Sequence, residues 1–199
     1  MKNKLILNMA LVFGGVVFGG LSLLHANAGD TNVSLQNILA AAAAKVPELG
    51  VIGSIYEITP SGQVWHGEKS VSGEFLLRKN PRFHPWAAAP VPFVDMSATI
   101  ARYASVGDTQ NELPKGLLRN QAYRSKESYR GAALYRWVDS TGGTSTVVCQ
   151  SGRYIIEIDS YSDDARPLIM KLLDVVLAGI ASEPDPKKLW LTGSAVGAT

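Results

Sequence analysis

Apolar and polar residues alternate along several short segments of this chain, which is the pattern of half-buried β-strands. The clearest case is 94–101, where every second residue from Val94 to Ile100 is apolar. Related patterns predict further strands at 51–58, 70–77, 132–138, 144–149 and 153–161. The turn sequence 59–62 also makes 63–66 a candidate hairpin partner of the first strand.

Three other segments are typical of helices. Ser34 is a suitable N-cap for the alanine-rich segment 35–46, which either packs closely on a sheet or helix or forms a mobile N-terminal arm. The polar segment 107–118 predicts a short helix broken at Pro114. The strongest predicted helix begins at the N-cap Ser162, and its broad apolar stripe indicates burial against a sheet.

The order of these elements predicts the fold class. Meandering antiparallel strands followed by a long helix indicate an α+β domain, with the C-terminal helix packed on one face of the sheet and smaller helices beside it. This order is similar to that of many small exported binding and accessory domains, including the PsbP-like group. The similarity covers about half of the chain and includes no diagnostic motif.

The N-terminus has the three parts of a secretory signal peptide. Two lysines precede an apolar run, and Ala26 and Ala28 flank Asn27 in the small-x-small pattern that signal peptidase accepts. We expect cleavage after Ala28 and a periplasmic or secreted protein exported through the Sec pathway. The alternative is an uncleaved membrane anchor, since the run is about 20 residues long. The expected mature chain is one globular domain, 29–199, whose last residues (about 187–199) are typical of a disordered tail.

Removal of the leader changes the charge balance. The whole chain has 19 Lys and Arg against 17 Asp and Glu, and the leader holds two of the lysines. The mature chain therefore has equal numbers of basic and acidic residues, and we expect no binding to nucleic acid. We expect contact with a membrane only through the leader, if it is not cleaved. The charges are nevertheless segregated, because 69–136 is mainly basic and 137–186 mainly acidic. The two segments either neutralise each other as surface ion pairs or present a surface for an anionic ligand or an envelope protein.

One long loop and one basic segment are the candidate binding regions. Four prolines within 81–92 exclude a regular helix or central strand from the segment 78–92. Loops of about fifteen residues in compact domains are usually either functional or disordered. Aromatic and basic residues also interleave in the segment 119–136. The candidate binding residues are Arg82, Phe83, His84 and Trp86 in the loop and Arg119, Arg124 and Arg130 in the basic segment.

Evidence for catalysis is weak. The mature chain has two histidines and one cysteine, and no phosphate loop or nucleophile-elbow motif occurs. We therefore expect no cofactor and no metal site. Glu157 and Asp159 lie about 7 Å apart on one face of a predicted strand. This face is either exposed to solvent, or the two carboxyl groups form an acid–base pair. In a strand, Cys149 is best explained as a small buried residue.

These observations favour an exported, non-enzymatic binding or accessory protein of the cell envelope, with an inhibitor or immunity protein as one specific form. One alternative is a small envelope hydrolase that uses His84, Cys149 and Glu157. Another is a structural envelope protein anchored by its leader.

Overall fold

The computed structural model describes residues 34–59, 64–119, 125–138 and 143–182. The predicted signal peptide and the C-terminal tail lie outside these ranges. Helices and strands follow one another as α1 (Leu35–Ala44), β1 (Leu49–Glu57), β2 (Lys69–Leu77), β3 (Met96–Arg102), α2 (Val106–Arg119), β4 (Ser125–Tyr129), β5 (Ala132–Val138), β6 (Ser145–Ser151), β7 (Tyr154–Ser160) and α3 (Leu168–Ala181).

The seven strands form one antiparallel sheet in the order β1-β2-β3-β7-β6-β5-β4. The last strand in sequence, β7, pairs with β3 in the middle of the sheet. The register places Met96 opposite Ser160, and Ser160 opposite Ser145. The start of β3, the end of β7 and the start of β6 therefore share one end of the sheet.

Helices α1 and α3 cover one face of the sheet and confirm the predicted α+β class. α3 buries the apolar stripe that the sequence predicts, and it packs on β7 and on α1. The alanine-rich α1 is therefore not an unattached arm in this structure. A Cβ atom at Gly179 would lie 2.9 Å from Ile38 Cγ2, so the glycine lets the two helices approach closely.

The opposite face carries a second, smaller core under α2. Its buried members are Trp65, Ala101, Tyr103, Leu113, Tyr135, Trp137, Val148 and Ile155. Here two sequence predictions were wrong. The segment 64–66 is not a strand, because Trp65 fills this core and β1 pairs with β2 instead. α2 is also not broken at Pro114 but continues to Arg119. Leu113 is buried against the sheet, and its packing offsets the loss of the backbone hydrogen bond that proline cannot form.

The position of two other elements also differs from the prediction. α3 begins at Leu168, six residues after Ser162, because Pro167 occupies its N-cap; Ser162 Oγ accepts instead from Ala165 N in a preceding turn. The polar strand β4 lies at the sheet edge and has no alternation that would predict it. A two-residue turn joins β4 to β5, and both Arg130 and Gly131 have positive φ there, as in a type I′ hairpin.

Candidate functional site

The long loop between β2 and β3 is an ordered hairpin-like structure. Phe83 and Pro92 form an isolated antiparallel bridge. His84 N donates to Val91 O at 2.9 Å, and Phe93 N donates to Arg82 O at 2.8 Å. These backbone bonds hold the two arms of the loop together, so the prolines interrupt the sheet without leaving the segment unpaired.

An ion pair between a buried carboxylate and a half-exposed guanidinium anchors the base of this loop. Asp95 is fully buried, and its Oδ1 accepts a hydrogen bond from the Arg82 guanidinium. Asp95 Oδ2 accepts from Leu77 N at 2.9 Å, so the carboxylate joins the end of β2 to the loop. The backbone of Asp95 also bonds to Phe75 and Tyr161. Since a buried carboxylate is costly without such partners, Arg82 is part of the loop's support.

Ring contacts add to this support. The His84 ring stacks on Phe93 with centroids 3.7 Å apart, and the Arg82 guanidinium lies 5.6 Å from the Phe93 centroid. Three of the loop's charged and aromatic side chains therefore pack on one another, and His84 is one of them.

The tip of the loop exposes large apolar side chains. Trp86 is 86% exposed, and Phe83 and Val91 are 46% and 47% exposed. An exposed tryptophan leaves a large apolar area in water, and in complexes such side chains are frequent binding hot spots. The sequence predicts Phe83, His84 and Trp86 as binding residues, and the structure brings them together with Arg82.

A groove of about 490 Å³ lies beside the loop base. Arg82 and Asp95 form part of its wall, and Tyr161, Asp163 and Asp164 come from the segment after β7. The groove thus contains more carboxylates than guanidinium groups, which disfavours an anionic occupant.

The basic segment does not join the loop in the described part of the chain. The Arg130 turn lies at the end of the sheet formed by the start of β5, whereas the loop lies at the end formed by the start of β3. Arg130 donates to Asp174 on α3 at 3.1 Å. Arg124 and the side chain of Arg119 lie outside the described residues.

The predicted neutralisation between the basic and acidic segments is seen at one described pair. Arg130 and Asp174 join the two segments. Other described ion pairs do not connect the basic and acidic segments. Lys115 pairs with Glu112, and Arg136 pairs with Glu127, both inside the basic segment.

Polar residues on the α2 side of the sheet form a second candidate site. Glu157 and Asp159 project from β7 on this face, and neither is on an exposed strand face. Trp65 Nε1 donates to Glu157 Oε2. Asp159 accepts from Thr146 Oγ1 at 2.6 Å and from Ser97 Oγ at 3.3 Å. The sequence identifies the two acids as a pair, but Trp65 is 92 residues from Glu157 and no local pattern connects them.

Burial changes the acidity of both carboxyl groups. Burial, together with the charge of Asp159, raises the pKa of Glu157 to about 7, although the Trp65 hydrogen bond opposes the change. Burial also raises the pKa of Asp159, against the hydrogen bonds from Thr146 and Ser97. A hydrogen bond with Asp159 also raises the pKa of Glu157, whereas the indole N–H of Trp65 stabilises its charged form.

A cavity of about 220 Å³ opens beside Glu157. Trp65 and Tyr56 supply aromatic wall, and Ser72 and Thr99 supply hydroxyl groups from β2 and β3. Ile58 and Val64 complete its apolar part. Small-molecule sites are typically built from such apolar and aromatic walls with a few polar groups.

The three residues of the hydrolase alternative occupy different surroundings. Cys149 pairs with Ile156 and faces the core under α1 and α3, whereas Val148 pairs with Glu157 on the other face. Burial raises the pKa of the Cys149 thiol to about 12, which disfavours the nucleophilic thiolate. His84 stacks on Phe93 in the loop. The structure therefore does not bring Cys149 and Glu157 together.

The described residues contain no group of three or more His, Cys, Asp or Glu placed to hold a metal ion. Within the same ranges, no helix has the length and apolarity needed to cross a membrane.

Comparisons with protein families, with curated proteins and with solved structures find no match to this chain.

Proposed function

We propose that this protein is an exported, non-enzymatic binding protein of the cell envelope that recognises a protein partner through the loop 82–93. The observation that carries the proposal is the exposure of Trp86 on a loop whose base is fixed by the ion pair of Arg82 with the buried Asp95. An inhibitor or immunity protein is a specific form of this function.

The ordered backbone of the loop supports this proposal. Binding through a flexible loop loses conformational entropy, whereas a loop that is already paired loses less. The bridge at Phe83 and Pro92, and the stack of His84 on Phe93, fix the arms on either side of Trp86. Trp86 and Phe83 would therefore act as preorganised apolar anchors.

The charges beside the loop favour a protein partner over a small anionic ligand. Arg82 is engaged by Asp95, and the adjacent groove also contains Asp163 and Asp164. A partner that places an apolar pocket over Trp86 and a basic side chain over the groove would match both surfaces.

Site-specific photo-crosslinking in the cell envelope tests this function. A benzophenone amino acid at position 86 should give one dominant adduct of defined mass, because the side chain lies inside the interface. The matched control places the same group at position 106, since Val106 is 48% exposed on α2 and outside the loop. Equal adduct patterns at the two positions would contradict recognition through the loop.

A substitution provides the second arm of this experiment. Trp86→Ala removes exposed apolar area without removing a described contact, so the fold should keep its thermal stability. We expect the amount of co-purified partner to fall at least tenfold, as for a hot-spot side chain. Unchanged recovery of the partner would exclude Trp86 as the anchor.

The exported location is proposed from the first 28 residues. N-terminal sequencing of the protein recovered from its host should begin at Gly29. An intact Met1 would instead support the alternative of a membrane-anchored structural protein.

A further inference from the structure

We propose that the cavity beside Glu157 and Trp65 binds the ammonium group of a small primary alkylamine. This ligand site lies on the α2 side of the sheet and is independent of the loop 82–93. The inference rests on one carboxylate, two hydroxyl groups whose protons are already donated within the sheet, and two aromatic side chains, all lining the same cavity.

The hydrogen-bond directions show that the cavity offers acceptors. Thr99 Oγ1 donates to Ser72 Oγ at 3.2 Å, and Ser72 Oγ donates to Ala98 O at 3.3 Å. Both hydroxyl protons are thereby used within the sheet, while lone pairs of Thr99 Oγ1 remain as acceptors. The indole N–H of Trp65 is likewise used by Glu157. A ligand that supplies several N–H donors matches this wall better than a ligand that needs donors.

The charge of the site selects a cation among such donors. Glu157 has no described cationic partner, and Asp159 adds a second carboxyl group on the same strand face. Placing an ammonium group here would provide the missing opposite charge and strong charge-assisted hydrogen bonds. The rings of Trp65 and Tyr56 lie in the same wall and also attract cations through their faces.

The size of the cavity limits the ligand. Its volume is about 220 Å³. A water molecule in the liquid occupies about 30 Å³, so the cavity has space for roughly seven groups of that size. Ile58 and Val64 can contact a short hydrocarbon chain. Butylammonium, with one charged group and four carbons, is therefore a suitable probe.

Titration of the full-length chain with butylammonium tests the proposal by ¹H–¹⁵N NMR of the indole groups. The chain has four tryptophans, and Trp65→Phe assigns the signal of Trp65 Nε1. We expect saturable shifts of this signal and at least tenfold weaker binding of the neutral isostere 1-butanol. Absence of saturation up to 10 mM butylammonium (roughly the weak end of small-ligand affinities), or equal binding of the alcohol, would overturn the proposal.

Two substitutions connect binding to the named residues. Glu157→Gln keeps an acceptor for Trp65 but removes the charge, and should weaken butylammonium at least tenfold. The matched control is Glu57→Gln, since Glu57 is exposed and pairs with Val71, whose side chain lies in the core on the other sheet face. This control should bind like the parent chain.

A second site variant guards against a folding defect in the first. Thr99→Val retains the shape of the side chain and removes its acceptor, so it should weaken butylammonium severalfold with the fold intact. Binding unchanged in both Glu157→Gln and Thr99→Val would show that the amine binds elsewhere and would contradict the assignment.

Discussion

At the scale of single residues, Trp65 connects the fold to the polar face of the sheet. Its ring is buried in the core under α2, and its indole N–H donates to Glu157. Sequence alone predicts neither role, because the ring's position depends on α2 and its hydrogen bond on β7, both distant along the chain. The acids of β7 were predictable as a pair by strand periodicity, but their burial was not.

The raised pKa of Glu157 predicts how stability depends on pH. Burial and the charge of Asp159 raise this pKa from 4.5 to about 7, so between these pH values the folded chain binds more protons than the unfolded chain. Stability should therefore fall as pH rises from about 4.5 to 7. Glu157→Gln should remove much of this slope and stabilise the protein at pH 8 by about 2 to 3 kcal/mol.

Urea unfolding at pH 5 and pH 8 checks this expectation. The variant Glu57→Gln, which removes an exposed acid, should keep the slope of the parent chain. A parent protein equally stable at both pH values, with a Glu157→Gln variant no more stable at pH 8, would show that the carboxyl group is not desolvated as described.

Gly116 provides a second prediction at this scale. A Cβ atom at position 116 would lie 2.0 Å from Trp65 Cζ3, so alanine requires the buried indole to move. Alanine is favoured over glycine in a helix by about 1 kcal/mol, but overpacking a core costs about 1 to 3 kcal/mol. Gly116→Ala should therefore destabilise the protein by up to about 2 kcal/mol net in denaturant unfolding, and should shift the indole signal of Trp65.

A glycine of the same helix is the matched control. At Gly107 the nearest atom to an added Cβ is Ser105 Oγ at 3.6 Å, an ordinary contact. Gly107→Ala should be neutral or stabilising. If Gly116→Ala is as stable as Gly107→Ala, the close packing of Trp65 on α2 is wrong.

At the scale of helices and strands, periodicity predicted the parts that bury one regular face. β3 and the apolar stripe of α3 belong to this group, whereas β6 is buried on both faces along most of its length. Edge strand β4 could not be predicted in this way, because its side chains are polar or only partly buried and its pairing depends on the Arg130–Gly131 turn. The continuation of α2 through Pro114 also depends on packing that local sequence does not contain.

The contact of α1 with α3 gives a prediction for a pair of residues. A Cβ atom at position 179 would lie only 2.9 Å from Ile38 Cγ2, so the larger side chain of Gly179→Val would collide with Ile38. We expect a loss of stability of about 1 to 3 kcal/mol from overpacking. In the double variant Ile38→Ala/Gly179→Val the two losses should be less than additive, because the smaller residue makes room.

Chemical unfolding of the two single variants and the double variant measures this coupling. Gly53→Ala is unsuitable as a control, because Gly53 has a φ of +66°. Gly107→Ala is again the neutral reference. Strict additivity of the Ile38 and Gly179 substitutions would contradict direct contact between the helices at this point.

At the scale of the whole molecule, the sheet separates the loop 82–93 from the Arg130 turn of the predicted basic surface. The loop 82–93 follows β2 at one end of the sheet, and the Arg130 turn lies at the other. Loop composition predicts Phe83, His84 and Trp86 as binding residues, and this stays a prediction. The anchoring role of Arg82 could not be predicted, because in strand periodicity Asp95 has the position of a solvent-facing residue.

The central claim is that Trp86 is held in place before any partner binds. Backbone ¹⁵N relaxation of residues 82–93 in the unbound full-length chain measures this most directly. The account predicts order parameters near those of the strands, about 0.85, on both sides of Trp86. Values below about 0.6 across the loop would contradict a preorganised recognition loop.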